Sequence, residues 1–274
     1  MNVGERRARF RRLHVREQLF VMPNPWDVGS ARLLESLGFE ALATTSAGYA
    51  WSLGKLDTQV TRDELVGHVR MLSPATELPL NVDSERCYPD DPGGVAETVA
   101  QLADAGASGF SIEDWDPAKE AIDDLETARE RVLIAAAAAH ALADPLVLTA
   151  RCENHLHGID DLDDTIERLV AYREAGADVV YAPWLTDLDR IARLVGAVGA
   201  PVNVLAIPGG PSTSELESVG VRRVSTGSLL ARAAYGALVA GADELREEGT
   251  SRYAETGVAR ELLAEAFSTA PRGE

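Results

Sequence analysis

The sequence predicts an α/β fold, a (β/α)8 TIM barrel forming a single domain over residues 1–274. Three observations lead there. First, short runs rich in Val, Ile, Leu and Ala alternate eight times with amphipathic stretches. Both faces of each run look buried, as in a parallel sheet covered by helices. Second, helical stretches end in glycine just before the next apolar run, at Leu37-Gly38-Phe39, Ala105-Gly106-Ala107, Ala175-Gly176-Ala177 and Val219-Gly220-Val221. Glycine closes a helix in the left-handed conformation and turns the chain back into the sheet. Third, the apolar runs end in chemically useful residues. Leu80-Asn81-Val82 leads into Asp83-Ser84-Glu85, Phe110-Ser111-Ile112 into Glu113-Asp114, and Leu146 to Ala150 into Arg151. A parallel barrel collects its chemistry at the carboxyl ends of its strands.

In chain order, the basic start Met1 to Arg7 has no apolar signal core behind it and reads as a docked N-terminal helix. Strands are expected to begin near Leu19, Phe39, Leu78, Ser108, Leu146, Val179, Pro201 and Arg222. The loop after the second strand is rich in small residues, Thr44-Thr45-Ser46-Ala47-Gly48, and continues to Asp57. Asp90 and Asp91, just before Pro92, are placed to cap the helix after the third strand. From Asp161 to Ala175, Leu162, Ile166, Leu169 and Tyr172 recur at helical spacing. Thr250 to Gly257 is a weak break before a helical C-terminal extension, Val258 to Phe267. Its Leu262-Leu263 face needs the barrel or a neighbouring subunit to be buried.

Forty-four acids against 26 bases give a net charge of −18. That charge repels phosphate surfaces and argues against nucleic acid or an anionic membrane as partner. A small anionic substrate stays compatible, because one arginine and a cation can reverse the field inside a pocket. Two cysteines, Cys87 and Cys152, make no disulfide framework, so a cytoplasmic location is expected. No apolar run reaches the ~18 residues of a membrane span.

Asp83 and Glu85 follow the third strand and Glu113 the fourth, on adjacent strands. Clustered carboxylates repel unless protons or a cation intervene. Oxygen-only ligands suit Mg²⁺ or Mn²⁺. The Arg151 guanidinium is placed to grip a carboxylate or phosphonate, or to form a structural ion pair with Glu113 or Glu153. Backbone N–H groups of the Thr44 to Gly48 loop can cradle an anion. Cys87 reads as an unreactive thiol rather than an acid, and His155 and His157 as rim or structural groups. Trp115 and Trp184 wall the pocket or pack beneath loops.

The chain resembles the isocitrate lyase/phosphoenolpyruvate mutase superfamily. The matching stretches are Pro23-Asn24-Pro25-Trp26-Asp27 with Ser30-Ala31-Arg32, Thr44 to Gly48 with Asp57, and Asp83-Ser84-Glu85. They continue with Ile112-Glu113-Asp114, Thr149-Ala150-Arg151, Gly176-Ala177-Asp178, Pro201-Val202-Asn203 and Val224-Ser225-Thr226-Gly227. The resemblance implies a barrel whose last helix is swapped between subunits of a homodimer or homotetramer. It implies Mg²⁺ held by Asp83, Glu85 and Glu113, partly through water. A 2-oxo acid, or a compound that breaks down to one, would be held by Thr45, Ser46 and Ala47 at its carboxylate and by Arg151 and Asn203 elsewhere. Asp57 would orient the gating loop or a water.

Departures from the family pattern bear on the reaction. The lyase branch carries a Lys-Lys/Arg-Cys-Gly-His motif after the fourth strand, whose cysteine is the proton donor. Here the stretch reads Trp115-Asp116-Pro117-Ala118-Lys119-Glu120-Ala121, with no cysteine or histidine. The asparagine of the mutase branch has no equivalent there either. Where many relatives have a Gly-Tyr-Gly-like turn, this chain has Arg86-Cys87-Tyr88-Pro89, expected at the pocket mouth. The leading expectation is a Mg²⁺-dependent enzyme that breaks a C–C bond of a 2-oxo or 2-hydroxy acid through a pyruvate-like enolate, with Glu113, Arg151 and Asp57 in catalytic roles. P–C bond chemistry in the same site, and a barrel that binds a 2-oxo acid without turnover, are the alternatives.

Overall fold

The computed structural model describes residues 1–268. Its strands are β1 Phe20–Met22, β2 Leu42–Ala43, β3 Leu80–Asp83, β4 Gly109–Glu113, β5 Trp115–Asp116, β6 Ala121–Ile122, β7 Val147–Arg151, β8 Val179–Tyr181, β9 Val202–Leu205 and β10 Arg223–Ser225. Eight of them form one parallel sheet in the order β2-β3-β4-β7-β8-β9-β10-β1. A bond from the Ala43 N–H to the Pro23 carbonyl, 3.1 Å, draws its two ends together. This is the nearly closed (β/α)8 barrel that the alternation predicts. The short β5 and β6 form a separate antiparallel hairpin in the loop after β4, a pair with too few residues to register as strands in the sequence. The second strand begins at Leu42, not near Phe39, because Gly38 in the left-handed region and the turn after it occupy the intervening residues. Gly38, Gly106, Gly176 and Gly220 all have positive φ, as their place at helix ends requires.

Helices cover the outside. The periodic stretch forms the helix Leu162–Glu174, with Asp161 capping its N-terminus and Leu162, Thr165, Leu169 and Tyr172 buried. The helix Gly94–Asp104 is entered through Gly93 at φ 79°, with no side-chain cap, so Asp90 and Asp91 do not cap it. Asp91 instead pairs with Arg62 at 3.5 Å.

The N-terminal helix Val3–Val15 closes the amino end of the barrel. Its Phe10 and Leu13 join Phe20, Met22, Ala41, Ala43, Val147 and Val179 in a cluster of buried side chains. Arg7 donates to the carbonyls of Ala107 (2.9 Å), Asp144 (3.1 Å) and Ala103 (2.6 Å), and Arg6 donates to the Thr76 carbonyl (3.0 Å). Guanidinium groups thus add hydrogen bonds to carbonyls at helix ends and strand entries.

Inside the barrel, alternate residues face the axis and change character along it. Phe20, Val147 and Val179 lie at the helix-plugged end. Asn81, Ser111, Thr149, Asn203 and Arg223 follow, and then Asp83 and Arg151. The outward residues, such as Leu80, Val82, Phe110, Ile112, Leu148 and Ala150, pack beneath the helices in the main core.

The C-terminal helix is Arg260–Phe267, and it packs on the helix Val28–Ser36 of the same barrel. The longer helix before it, Leu229–Glu247, buries Ala231 and Gly241 but leaves Leu238 (66% exposed), Val239 and Leu245 open. Among the described residues, no helix is long and apolar enough to cross a membrane.

Candidate active site

A cavity of about 260 Å³ opens at the carboxyl ends of the strands. Thr45, Ser46, Ala47, Asp57, Asp83, Arg151 and Asn203, all expected site residues, line it. Glu85 and Glu113 do not.

Arg151, the last residue of β7, organises the centre. Its Nη1 donates to Asp83 Oδ1 at 2.7 Å, its Nη2 meets Glu113 Oε2 at 3.2 Å, and its Nε donates to Glu153 Oε1 at 2.7 Å. The strand register places Glu113 directly beside Arg151. The ion pairs named as the structural alternative are therefore present, while Arg151 still faces the cavity. Asp83 is held from several sides. Its N–H donates to Thr44 Oγ1 at 2.8 Å, its Oδ2 accepts from the Ser46 N–H at 3.1 Å, and Ser111 Oγ lies 3.3 Å from its Oδ1. Thr45 caps the short helix Ser46–Ser52 by accepting from the Gly48 N–H.

Negative charge is in excess here. Asp57, Asp83, Glu85, Glu113 and Glu153 surround one guanidinium. Burial, with Asp57 and Asp83 as like charges, pushes Glu85 up to about 8. Burial also raises Glu113, against the pull of Arg151. Glu153 is raised to about 6 for the same reason. Asp57 stands at the exposed rim, yet desolvation and the Asp83 charge raise it too. Among the described residues, no three His, Cys, Asp or Glu side chains are arranged to hold a metal ion directly. Arg151 draws Asp83 and Glu113 onto itself instead.

The loop after β3 carries backbone strain. Glu85 (φ 49°), Cys87 (φ 61°) and Tyr88 (φ 48°) all lie in the left-handed region. Trp184 at φ 66° does the same on the far side of the cavity, which it lines. Such outliers persist only where the surroundings hold them, and they gather at functional sites.

Arg86 and Cys87 are not at the mouth. Arg86 reaches Asp123 (3.1 Å) and Asp116 (3.3 Å), where Lys119 and Arg131 also converge. This network latches the β5–β6 hairpin, no residue of which lines the cavity. Cys87 is fully buried, and its thiol is pushed up to about 12. His157 stacks on Trp115 with centroids 3.4 Å apart, and His155 lines a separate cavity of about 190 Å³.

Sequence reasoning did not single out Tyr181, Arg223, Thr149 or Ser225 as cavity residues. Arg223 is 2% exposed and donates from Nε to Asn203 Oδ1 and from Nη2 to Thr149 Oγ1, both at 2.9 Å. Its Nη1 lies 3.1 Å from His14 Nε2 on the plugging helix. Asn203 Nδ2 in turn donates to Ser225 Oγ at 2.9 Å. The available signal was a polar residue at alternate positions of otherwise apolar strands.

A parallel barrel with an acid-and-arginine pocket at the carboxyl ends of its strands defines the class, a (β/α)8 barrel protein with its site at the strand ends. The profile of the Phosphoenolpyruvate phosphomutase family matches residues 10–246, and the chain belongs to that family. A provisional lyase/mutase from Burkholderia cenocepacia J2315 has a solved structure that superposes with a TM-score of 0.93, at 50% identity, covering 98% of this chain and 97% of that one. The 2-methylisocitrate lyase of Escherichia coli is 31% identical over 240 residues, covering 81% of this chain and 78% of its own. An oxaloacetate decarboxylase of Paraburkholderia xenovorans is 33% identical over 212 residues, 74% and 69% of the two chains. Relatives in this family are thus lyases, decarboxylases and mutases acting on small carboxylates.

Proposed function

We propose that this protein is a Mg²⁺-dependent enzyme, with Mn²⁺ as substitute, that breaks a C–C bond of a 2-oxo or 2-hydroxy carboxylic acid through a pyruvate-like enolate. The observation that carries this reading is the surplus of carboxylates around Arg151, two of which, Asp57 and Asp83, line the cavity. An oxygen-only donor set with excess negative charge fits a hard divalent cation that keeps part of its water shell. Asp83, Glu85 and Glu113 would hold it through those waters. Bound there, the cation supplies Lewis-acid stabilisation of charge developing on an enolate oxygen. Thr45, Ser46 and Ala47 border the substrate carboxylate, and Arg151 and Asn203 orient the rest. Arg151 also offsets charge as the bond breaks, Glu113 holds Arg151 in place, and Asp57 positions water at the rim.

The decarboxylase and lyase relatives support C–C chemistry. The family profile, named for a phosphomutase, favours P–C chemistry as the second reading. We further propose that copies of this chain exchange the helix Leu229–Glu247, which covers its exposed apolar face in a homodimer or homotetramer. The two buried, unpaired cysteines accord with a reducing cytoplasm.

The test is a panel of 2-oxo, 2-hydroxy and phosphono acids incubated with the protein and Mg²⁺, followed by pyruvate assay and phosphorus NMR. Pyruvate from a C–C substrate supports the reading, and turnover of phosphonopyruvate alone replaces it with P–C chemistry. Oxalate, a planar dianion shaped like enolpyruvate, separates enzyme from binder. Mg²⁺-dependent oxalate binding without any turnover makes the protein a sensor. Asp83→Ala is expected to abolish Mg²⁺-dependent oxalate binding, and intact binding would remove Asp83 from the metal site.

A further inference from the structure

An enolate must take a proton at carbon, and the cysteine that serves the lyase branch is missing here. The hairpin that would carry it is latched away from the cavity, Cys87 and Cys152 are fully buried, and neither His155 nor His157 lines the main cavity. Tyr181 does line it.

We propose that Tyr181 is the acid that protonates the enolate carbon, and that Arg223 is the positioning residue that stabilises the phenolate left behind. The inference rests on the enolate reading above. Tyr181 is the last residue of β8, paired in register with Arg151 on one side and Asn203 on the other. Its ring lies 5.5 Å from the Arg151 guanidinium carbon. Burial keeps the phenol protonated well above its ordinary range, so the proton is present when the enolate forms.

Arg223 is what makes the arrangement specific. It is a buried cation whose hydrogen-bond partners, Asn203, Thr149 and His14, are all neutral side chains or can be. A buried charge without a counter-charge is costly. Arg223 and Tyr181 flank Asn203 in the strand register and both line the cavity. Burial lowers Arg223 to about 9, and the acid that acts against this is Tyr181. Ser225 Oγ stands beside the phenol and favours its ionised form. Because that oxygen accepts from Asn203, its own proton is free to point at the phenolate. Arg223 thus finds its counter-ion only when Tyr181 has given up its proton.

The step balances for oxaloacetate. The C–C bond to the departing carboxylate breaks, and its electron pair stays in the enolate. The enolate carbon forms a C–H bond with the Tyr181 proton, and the phenol O–H pair remains on oxygen. Water reprotonates the phenolate, so oxaloacetate dianion plus water gives pyruvate and bicarbonate.

The experiment uses the full chain with Mg²⁺ and three readouts. These are oxalate binding by calorimetry, exchange of the pyruvate methyl protons in D2O by proton NMR, and ultraviolet titration of the phenolate. Tyr181→Phe is expected to bind oxalate as the unaltered protein does and to lose exchange by about 10²–10⁴-fold, the usual weight of a general acid or base. Arg223→Lys should retain part of the exchange. Arg223→Met should raise the pH at which the phenolate band missing from Tyr181→Phe appears, and move the alkaline limb of the exchange profile with it. Exchange at the unaltered rate in Tyr181→Phe overturns the proposal. An unaltered protein that binds oxalate but does not exchange refutes turnover and the role of Tyr181 together. One that neither binds nor exchanges refutes the enolate reading itself.

Discussion

At the scale of single residues, the most consequential side chain is one the sequence did not advertise. His14 lies under the barrel floor, bonded to the Phe10 carbonyl through Nδ1 at 2.8 Å and facing Arg223 through Nε2. Burial, reinforced by the Arg223 charge, lowers it from 6.5 to about 3. Between those two pH values the unfolded chain holds a proton that the folded chain refuses. Stability therefore falls as pH drops through that window, by at most about 1.4 kcal/mol per pH unit for one group. His14→Gln keeps an acceptor for Arg223 and removes the titration, so chemical denaturation from pH 7 to pH 4 should show a shallower decline. An unchanged decline would assign the acid sensitivity elsewhere, for example to His68, lowered by burial to about 4. Arg151 and Asp83 were legible because each is a charged residue closing an apolar run. Tyr181 and Arg223 were not, because in a sheet buried on both faces apolar residues hide the alternation that says which side faces the axis.

At the scale of elements, the glycine-to-strand junctions and the periodic helix Leu162–Glu174 were readable from local rules. The hairpin β5–β6 was not, since an ion network spanning Arg86, Asp116, Asp123 and Arg131 holds it, and Arg86 is distant in sequence from the rest. The N-terminal helix was expected to dock, but its role as a plug depends on Gly109. A Cβ there would lie 2.7 Å from Phe10 Cε1 and 2.7 Å from the Val147 carbonyl oxygen. Only glycine leaves room for Phe10, which is fully buried. Phe10→Ala should cost about 3–5 kcal/mol, the range for emptying a buried aromatic site. The check is the urea midpoint at unchanged slope. A loss below about 1 kcal/mol, the size of an ordinary surface-type effect, would mean that the helix is an ornament rather than a plug.

At the scale of the whole molecule, the barrel was legible because eight repeats of one unit reinforce each other, whereas quaternary structure depends on surfaces that sequence patterns only outline. Leu238 and Val239 are exposed, and the proposed helix exchange would cover them. The double variant Leu238→Glu, Val239→Glu should lower the mass seen in sedimentation to that of one chain. An unaltered chain that already sediments as a monomer would remove the helix exchange. The plug has one more consequence, and it concerns order in time. His14 meets Arg223 across 209 residues, and β1 pairs with β10, the last strand of the sheet. The N-terminal helix therefore waits for the last strand of the sheet to complete its seat. Until then His14 has no Arg223 to face and the barrel around Phe10 stays open at one edge. Long-range closure of this kind is slow and leaves apolar surface open to other chains. Newly made chains should be most vulnerable to aggregation just before β10 emerges.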